Sequence, residues 1–363
     1  MSDRRLSAVV LAAGEGTRMR SARPKPLHLL CGRAMLLYVL DALVDCSVSR
    51  VVVVVGHGAE RVTKKLQDEE PDLRLDFVEQ RVQRGTGDAA AVGLTGLPDD
   101  TDVDEHHDVI VLPGDTPLLR PSTMAKLVAT HRETGAACTI LTGVIDDATG
   151  YGRIVRGKDD RVSRIVEQLD ATPEEREIRE FNTSIYCFRR SVLAPALRRL
   201  QPQNAQGEYY LTDVVSVLHD AGYPVTTVVA ADPSEAAGIN DRVQLAEAEA
   251  ELRRRTNHGW LQKGVTMVDP ASTYIDATVE LSTDVTIFPG AILQGRTVVG
   301  RASEIGPGTR LVDCLVGDEV TLDRVSGHDA EIGSGAIVGP YAVLRPGASV
   351  PPGTVTGPFY TAN

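Results

Sequence analysis

Residues 11–26 read Leu-Ala-Ala-Gly-Glu-Gly-Thr-Arg-Met-Arg-Ser-Ala-Arg-Pro-Lys-Pro and follow a short apolar run. Glycines at 14 and 16 let backbone N–H groups come close to an anion. Arg18, Arg20, Arg23, Lys25 and Arg33 crowd into this part of a chain that is acidic overall. Met19 stands where the dinucleotide fingerprint needs a third glycine, and no Gly-Lys-Ser/Thr closes a P-loop. The chemistry that fits is a triphosphate cradle at the end of a strand; the plain alternative is a solvated basic loop. A second segment, residues 111–117, places Asp115 directly past an apolar run. A carboxylate beside phosphates is the usual way to hold Mg2+, although a turn or helix-cap aspartate looks the same in sequence. A third, residues 80–87, reads Gln-Arg-Val-Gln-Arg-Gly-Thr-Gly. Its glutamine amides could read a base edge, with the Gly-Thr-Gly backbone passing close by.

These segments need elements to hold them. Ser7 to Ala12, Val51 to Val55, Leu73 to Val78 and Val109 to Leu112 are short apolar runs, the second being five consecutive valines. Continuous β-branched runs suit strands covered on both faces. Between them Ala34 to Cys46, Ala59 to Glu69 and Ser122 to Thr134 have helical character. Further strand-like runs follow at Ala137 to Thr142, Arg161 to Val166 and Thr183 to Phe188. The alternation predicts an α/β, doubly wound domain. It is placed at residues 1–235, its regular structure ending near Ala231. Residues 236–262 are the expected linker, with a helix over Asn240 to Arg255, and residues 263–363 form a second domain.

That second domain has a different rhythm. Leu281, Ile287, Leu293, Val299, Ile305 and Leu311 recur every sixth residue, and the period resumes at Ile332, Val338, Leu344 and Val350 after an irregular stretch. Small residues or valine follow most of them four places on. Six residues make one flat face and three faces one coil, so the aliphatic column is buried when coils stack. About four coils are expected from Val279 onward.

The remaining composition mostly excludes. The 363 residues carry 38 basic and 50 acidic side chains, a net charge of −12, which argues against a nucleic-acid partner. Hydrophobic residues at 42% suffice for a packed core, yet no run approaches a membrane span. No signal peptide is expected. Cys31, Cys46, Cys138, Cys187 and Cys314 are scattered and form no Cys-x-x-Cys, so reduced thiols in a cytoplasmic protein are expected. His106 and His107 sit among Asp102, Asp104, Glu105 and Asp108, read as a solvated loop. No structural zinc is expected.

The loop Leu-Ala-Ala-Gly-x-Gly-Thr-Arg-Met with its following Pro-Lys resembles the signature of the sugar-1-phosphate nucleotidyltransferases. Residues 149–154 (Thr-Gly-Tyr-Gly-Arg-Ile), 165–167 (Ile-Val-Glu), 181–185 (Phe-Asn-Thr-Ser-Ile), 204–213 (Asn-Ala-Gln-Gly-Glu-Tyr-Tyr-Leu-Thr-Asp) and 238–245 extend the resemblance. With the coiled tail they resemble the bacterial N-acetylglucosamine-1-phosphate uridylyltransferases, in which that activity is fused to a glucosamine-1-phosphate acetyltransferase. The resemblance implies an α/β transferase domain followed by a short left-handed β-helix, UTP and N-acetylglucosamine-1-phosphate as substrates, Mg2+ as cofactor, and a homotrimer. It implies that Leu11, Ala12, Ala13 and Gly14 contact the nucleotide, that Arg18 and Lys25 bind and neutralise the triphosphate, and that Gln80, Gly85 and Thr86 recognise uracil. Asp115 and Asn240 are implied as metal ligands, and Gly152, Glu167, Asn182 and Thr212 as the sugar pocket.

The chain departs from that pattern in three places. Pro113 stands where a tyrosine is common, and Leu169 where a lysine is common two places after the glutamate. Another sugar or base is therefore an open alternative. Arg345-Pro-Gly347 resembles the start of the acetyl-transfer region, but the segments that carry its acceptor-binding lysine and catalytic histidine do not follow. No acetyltransferase activity is expected. An acyltransferase and a non-catalytic nucleotide-binding scaffold are the readings from other classes.

Overall fold

The computed structural model describes residues 5–69, 73–98 and 107–362. The chain divides into two compact units, Met1–His28 with Ala34–Gln244, and Leu29–Arg33 with Leu245–Asn363. Chain order begins β1 (Arg5–Ala12), a ribbon of β2 (Leu29–Leu30) and β3 (Arg33–Ala34), α1 (Met35–Val44), β4 (Arg50–Val55), α2 (Ala59–Asp68), β5 (Leu75–Glu79) and α3 (Thr86–Leu94). It continues with β6 (His107–Pro113), α4 (Pro121–Thr134), β7 (Cys138–Val144), β8 (Arg153–Arg156), β9 (Val162–Val166), α5 (Pro173–Arg176) and β10 (Glu180–Arg189). Then come α6 (Arg190–Leu197), α7 (Asp213–Asp220), β11 (Val225–Val229) and α8 (Arg242–Gln262).

The main sheet runs β11-β7-β10-β6-β1-β4-β5, and β8 branches from β10 to carry β9. β1 is parallel to β4 and β6, as are β4 to β5 and β7 to β11. β10 alone in that row is antiparallel to both neighbours. The five-valine run shows why continuous apolar strands form here. Val51, Val53 and Val55 face one layer with Leu36, Leu40 and Leu43 of α1 and Leu127 of α4. Val52 and Val54 face the other with Ala89 and Ala90 of α3 and Leu193 and Leu197 of α6. Alternate side chains point to opposite faces, and both faces are covered.

The structure corrects one reading and adds to others. His107 and Asp108 begin β6 and are buried, instead of lying in a solvated loop; His106 and the acids at 102, 104 and 105 lie outside the described residues. Pairing with β1 draws them in, Arg5 standing opposite His107. The polar cost is met locally: His107 is hydrogen-bonded to Ser7 Oγ at 3.0 Å and to Arg190 at 3.1 Å, and Asp108 faces His131 Nε2 at 3.4 Å. Strands β8 and β11 and helices α6 and α7 are elements the sequence reading did not separate.

The second unit is a left-handed β-helix whose strands stack into three parallel sheets of five, six and five strands, beginning at Thr266. The repeat thus starts two faces before the visible periodicity, at Met267 and Ile275. The irregular stretch is also part of it. Leu311, Val316, Leu322, Gly327 and Ile332 continue the buried column with some faces five residues long, and partners across coils are Leu311↔Gly327 and Val316↔Ile332. Buried hydroxyls sit beside these short faces. Thr297, Ser303 and Thr309 accept the backbone N–H groups of Cys314, Val320 and Val325 at 3.0–3.2 Å. A buried N–H needs such a partner. At the last coil Tyr360 packs against the core, whereas Phe359 is exposed and stacks on Tyr341 at 5.5 Å.

Candidate active site

β1 and β6 are adjacent and parallel, so the segments that follow them leave from one rim; the Gly114 N–H donates to the Leu11 carbonyl at 2.9 Å. The carboxyl ends of such strands are where α/β sheets bind ligands. A cavity of about 540 Å³ opens there. Leu11, Ala12, Ala13, Gly14, Lys25, Gln80, Gly85, Thr86, Asp115, Glu167, Asn182, Thr212 and Asn240 all line it. Arg18 and Gly152 do not; Arg18 is exposed and bonds to Asn240 of the lining, and Gly152 packs beside Glu167 and Asn182.

The cations are held by the loop that carries them. Gly16 has φ +63°, and a Cβ there would lie 2.7 Å from the Lys25 Cβ, so only glycine leaves room for the lysine stem. Lys25 opens a short helical turn whose next two residues, Pro26 and Leu27, are buried. Its ammonium donates to Asp115 Oδ2, and to Asn240 Oδ1 at 3.1 Å. Arg18 Nη2 donates to the same Asn240 oxygen at 2.9 Å. The Ile239 N–H donates to the Asp115 carbonyl at 2.9 Å, which joins two loops that are far apart in sequence. A carboxylate and an amide oxygen converging on one cation are hard donors suited to Mg2+, which takes few protein ligands and completes its shell with phosphates and water. The described residues contain no group of three or more His, Cys, Asp or Glu side chains able to cage a metal.

One wall presents Gln80, Gly85 and Thr86. Gly85 has φ +107°, and a Cβ there would lie 2.6 Å from the Tyr209 carbonyl. The Gly87 N–H donates to that carbonyl at 2.7 Å, the Tyr209 N–H to the Arg84 carbonyl at 2.8 Å, and the Leu211 N–H to Thr86 Oγ1 at 3.0 Å. The Gly-Thr-Gly and Glu-Tyr-Tyr-Leu-Thr motifs are thus one hydrogen-bonded clamp. Gln80 Nε2 is committed to Asp88 at 2.7 Å, so its carbonyl oxygen is the atom left for a ligand N–H. Gln83, whose amide the sequence offered for reading a base edge, instead ties this wall to the first loop by donating to the Ala13 carbonyl at 2.7 Å.

Another part of the lining presents Glu167, Asn182 and Thr212. Thr212 Oγ1 donates to Glu167 Oε1 at 3.0 Å, and burial raises the Glu167 carboxyl above its ordinary value. Asn182 Nδ2 donates to the Tyr186 hydroxyl at 2.8 Å, just before a bulge in β10. Gly152 serves by packing: its carbonyl accepts the Asn182 N–H at 2.8 Å, and a Cβ there would lie 3.1 Å from Ile165. The buried Arg153 behind it reaches the Tyr151 carbonyl, and Gln168 Oε1 at 3.0 Å. Tyr151 lines the cavity against Phe181, and burial, followed by the charge of Asp115, raises its hydroxyl. It lay inside a segment already singled out, but nothing local marked it as lining. Of the two departures, Pro113 lines the cavity and Leu169 is 63% exposed, outside the lining.

A site made of loop glycines, paired cations and a metal-competent carboxylate invites comparison with known proteins. The family model described as nucleotidyl transferase matches residues 7–261. The bifunctional protein GlmU of Heliobacterium modesticaldum is 44% identical over 353 residues, covering 97% of this chain and 75% of that protein. That of Mycobacterium tuberculosis is 46% identical over 341 residues, 93% and 68% of the two chains. That of Streptomyces coelicolor is 46% identical over 357 residues, 98% and 73%. No described helix is long and apolar enough to cross a membrane. The chain belongs to the nucleotidyl transferase family and, within it, to the family of the bifunctional GlmU proteins.

Proposed function

We propose that this nucleotidyltransferase moves a uridylyl group from UTP to N-acetylglucosamine-1-phosphate, releasing UDP-N-acetylglucosamine and pyrophosphate, with Mg2+ as cofactor. One observation carries the reading: Lys25, Arg18, Asp115 and Asn240 meet through shared hydrogen bonds, and Gln80, Gly85, Thr86, Glu167, Asn182 and Thr212 line the same cavity. A phosphate oxygen of the sugar attacks the α-phosphorus in line as the bond to pyrophosphate breaks. No protein nucleophile is needed, because the attacking group is already an anion. Alignment of two mutually repelling anions is the main task. Arg18 and Lys25 neutralise the triphosphate, and the backbone of residues 11–14 passes close to it. Mg2+ held by Asp115 and Asn240 would withdraw charge from the phosphates. The Gln80 carbonyl oxygen accepts the imide N–H of uracil. Glu167 and Thr212 meet sugar hydroxyls, and Asn182 the acetamido group.

The domain bounds 1–235, 236–262 and 263–363 belong to this reading, as do cytoplasmic location and a homotrimer. All five cysteines are unpaired and buried, which suits a reducing compartment. Exposed apolar side chains on the coils, among them Leu315, Ile337 and Val343, suit packing between copies. Arg345 is exposed on a coil. Pro113 in the lining keeps another sugar-1-phosphate as the second reading. Pyrophosphate release, run as a grid of nucleoside triphosphates against sugar-1-phosphates with Mg2+, tests the substrate assignment. UTP with N-acetylglucosamine-1-phosphate should be clearly best. A different winning pair would replace the substrate assignment, and binding without turnover would replace the enzymatic one.

A further inference from the structure

Lys25 sits where a cation is wanted. Its ammonium lies against both oxygens proposed as metal ligands, Asp115 Oδ2 and Asn240 Oδ1. Asn240 Oδ1 already accepts from Arg18 at 2.9 Å and from Lys25 at 3.1 Å. An amide oxygen has two lone pairs, so both are engaged. A metal can take that oxygen only if one donor leaves. Arg18 is the worse candidate to move, because its planar fork loses a directed bond. Lys25 is the better one: its root is fixed by buried Pro26 and Leu27 and by the space at Gly16, while four methylenes leave the ammonium mobile. Its side chain is 14% exposed and that of Asp115 23%, so the pair is shielded and the attraction is stronger than at an open surface.

We propose that Lys25 is a resident counter-cation, a positioning residue that holds Asp115 and Asn240 together before substrates arrive and is displaced onto the nucleotide's phosphates when the divalent ion takes its place. The proposal rests on the reading of Asp115 and Asn240 as metal ligands. It makes metal and lysine competitors in the nucleotide-free protein and allies in the loaded one. Metal alone should therefore bind poorly, and metal with UTP well, because phosphate accepts the displaced ammonium.

The test uses the full chain and Mn2+ alone as the probe, with free ion counted by electron paramagnetic resonance. Lys25→Met keeps the stem and removes the charge. It should bind Mn2+ at least tenfold more tightly than wild type without nucleotide, and adding Asp115→Asn to it should erase the gain. With UTP present the order should reverse, Lys25→Met binding the Mn2+–UTP complex more weakly. Thermal melting confirms that each variant is folded, and Lys25→Gln repeats the comparison if Lys25→Met is not. Equal or weaker Mn2+ binding by the uncharged variant overturns the proposal while leaving the metal-site reading intact, provided Asp115→Asn still weakens Mn2+–UTP binding in the wild-type background. If Asp115→Asn changes neither measurement, the metal-site reading fails, and the proposal with it.

Discussion

Gly85→Ala tests whether the base wall is held as a clamp. At φ +107° an alanine is in a region nearly reserved for glycine, a strain of about 1–3 kcal/mol. Its methyl would also meet the Tyr209 carbonyl at 2.6 Å, and the Tyr209 nitrogen and Glu208 Cβ at 2.9 Å. Two of those atoms are backbone and cannot rotate away, so overpacking adds about 1–3 kcal/mol. The sum, about 2–6 kcal/mol, should lower the melting temperature by roughly 4–24 °C at about 2–4 °C per kcal/mol for a domain of this size. The same shift displaces Thr86, whose Oγ1 accepts the Leu211 N–H, so KM for UTP should rise more than KM for the sugar phosphate. Two other glycines separate the causes. Gly150 has φ +90° with nothing within 4 Å of a built Cβ, so Gly150→Ala should show strain alone, about 1–3 kcal/mol. Gly14 has neither strain nor neighbours but lines the cavity; Gly14→Ala should melt within about 1–2 °C of wild type and still lose turnover. Thermal melts and steady-state pyrophosphate release read all three. A Gly85→Ala protein that melts like wild type with an unchanged KM for UTP would refute the clamp.

Arg18→Ala and Lys25→Ala should each lower turnover by about 10²–10³-fold, the usual loss when one preorganised donor to developing charge is removed, with melting temperature nearly unchanged; near-normal turnover in either would remove that residue from the proposed chemistry. Burial raises the Glu167 carboxyl above 4.5, so the folded chain holds that proton more tightly than the unfolded one. Its contribution to stability therefore falls as pH rises from 4.5 through the raised value and stays lost above it. Glu167→Gln should melt higher than wild type at neutral pH, the gain shrinking as pH falls toward 4.5, while sugar-phosphate KM rises; an equal gain at all pH values would contradict the burial argument. Leu311→Ala in the fully buried column of the β-helix should cost about 2–5 kcal/mol in denaturant titration, and a loss under about 1 kcal/mol would show that the column is loosely packed.

Local chemistry made much of this protein legible. The glycine loop with its cations, the aspartate past an apolar run and the sixfold column are signals carried by neighbours in sequence, because strands, tight turns and coils are set by nearby side chains. The structure brings thirteen of the fifteen residues singled out as site residues to one cavity, with Arg18 bonded to Asn240 of the lining and Gly152 packed beside Glu167 and Asn182. Tertiary structure decided what depends on distant partners. β10 enters the sheet antiparallel between β6 and β7 through backbone hydrogen bonds that no side-chain pattern announces. Pairing with β1 turned His107 and Asp108 from an apparent polar loop into buried strand residues. In the β-helix, five-residue faces broke the visible period, while Thr297, Ser303 and Thr309 met the N–H groups beside them from the coil before. The clamp between residues 84–87 and 209–211 and the meeting of Lys25 with Asp115 and Asn240 join segments about 90 to 215 residues apart. Sequence names such groups, but only the packed sheet brings their polar atoms within hydrogen-bond reach.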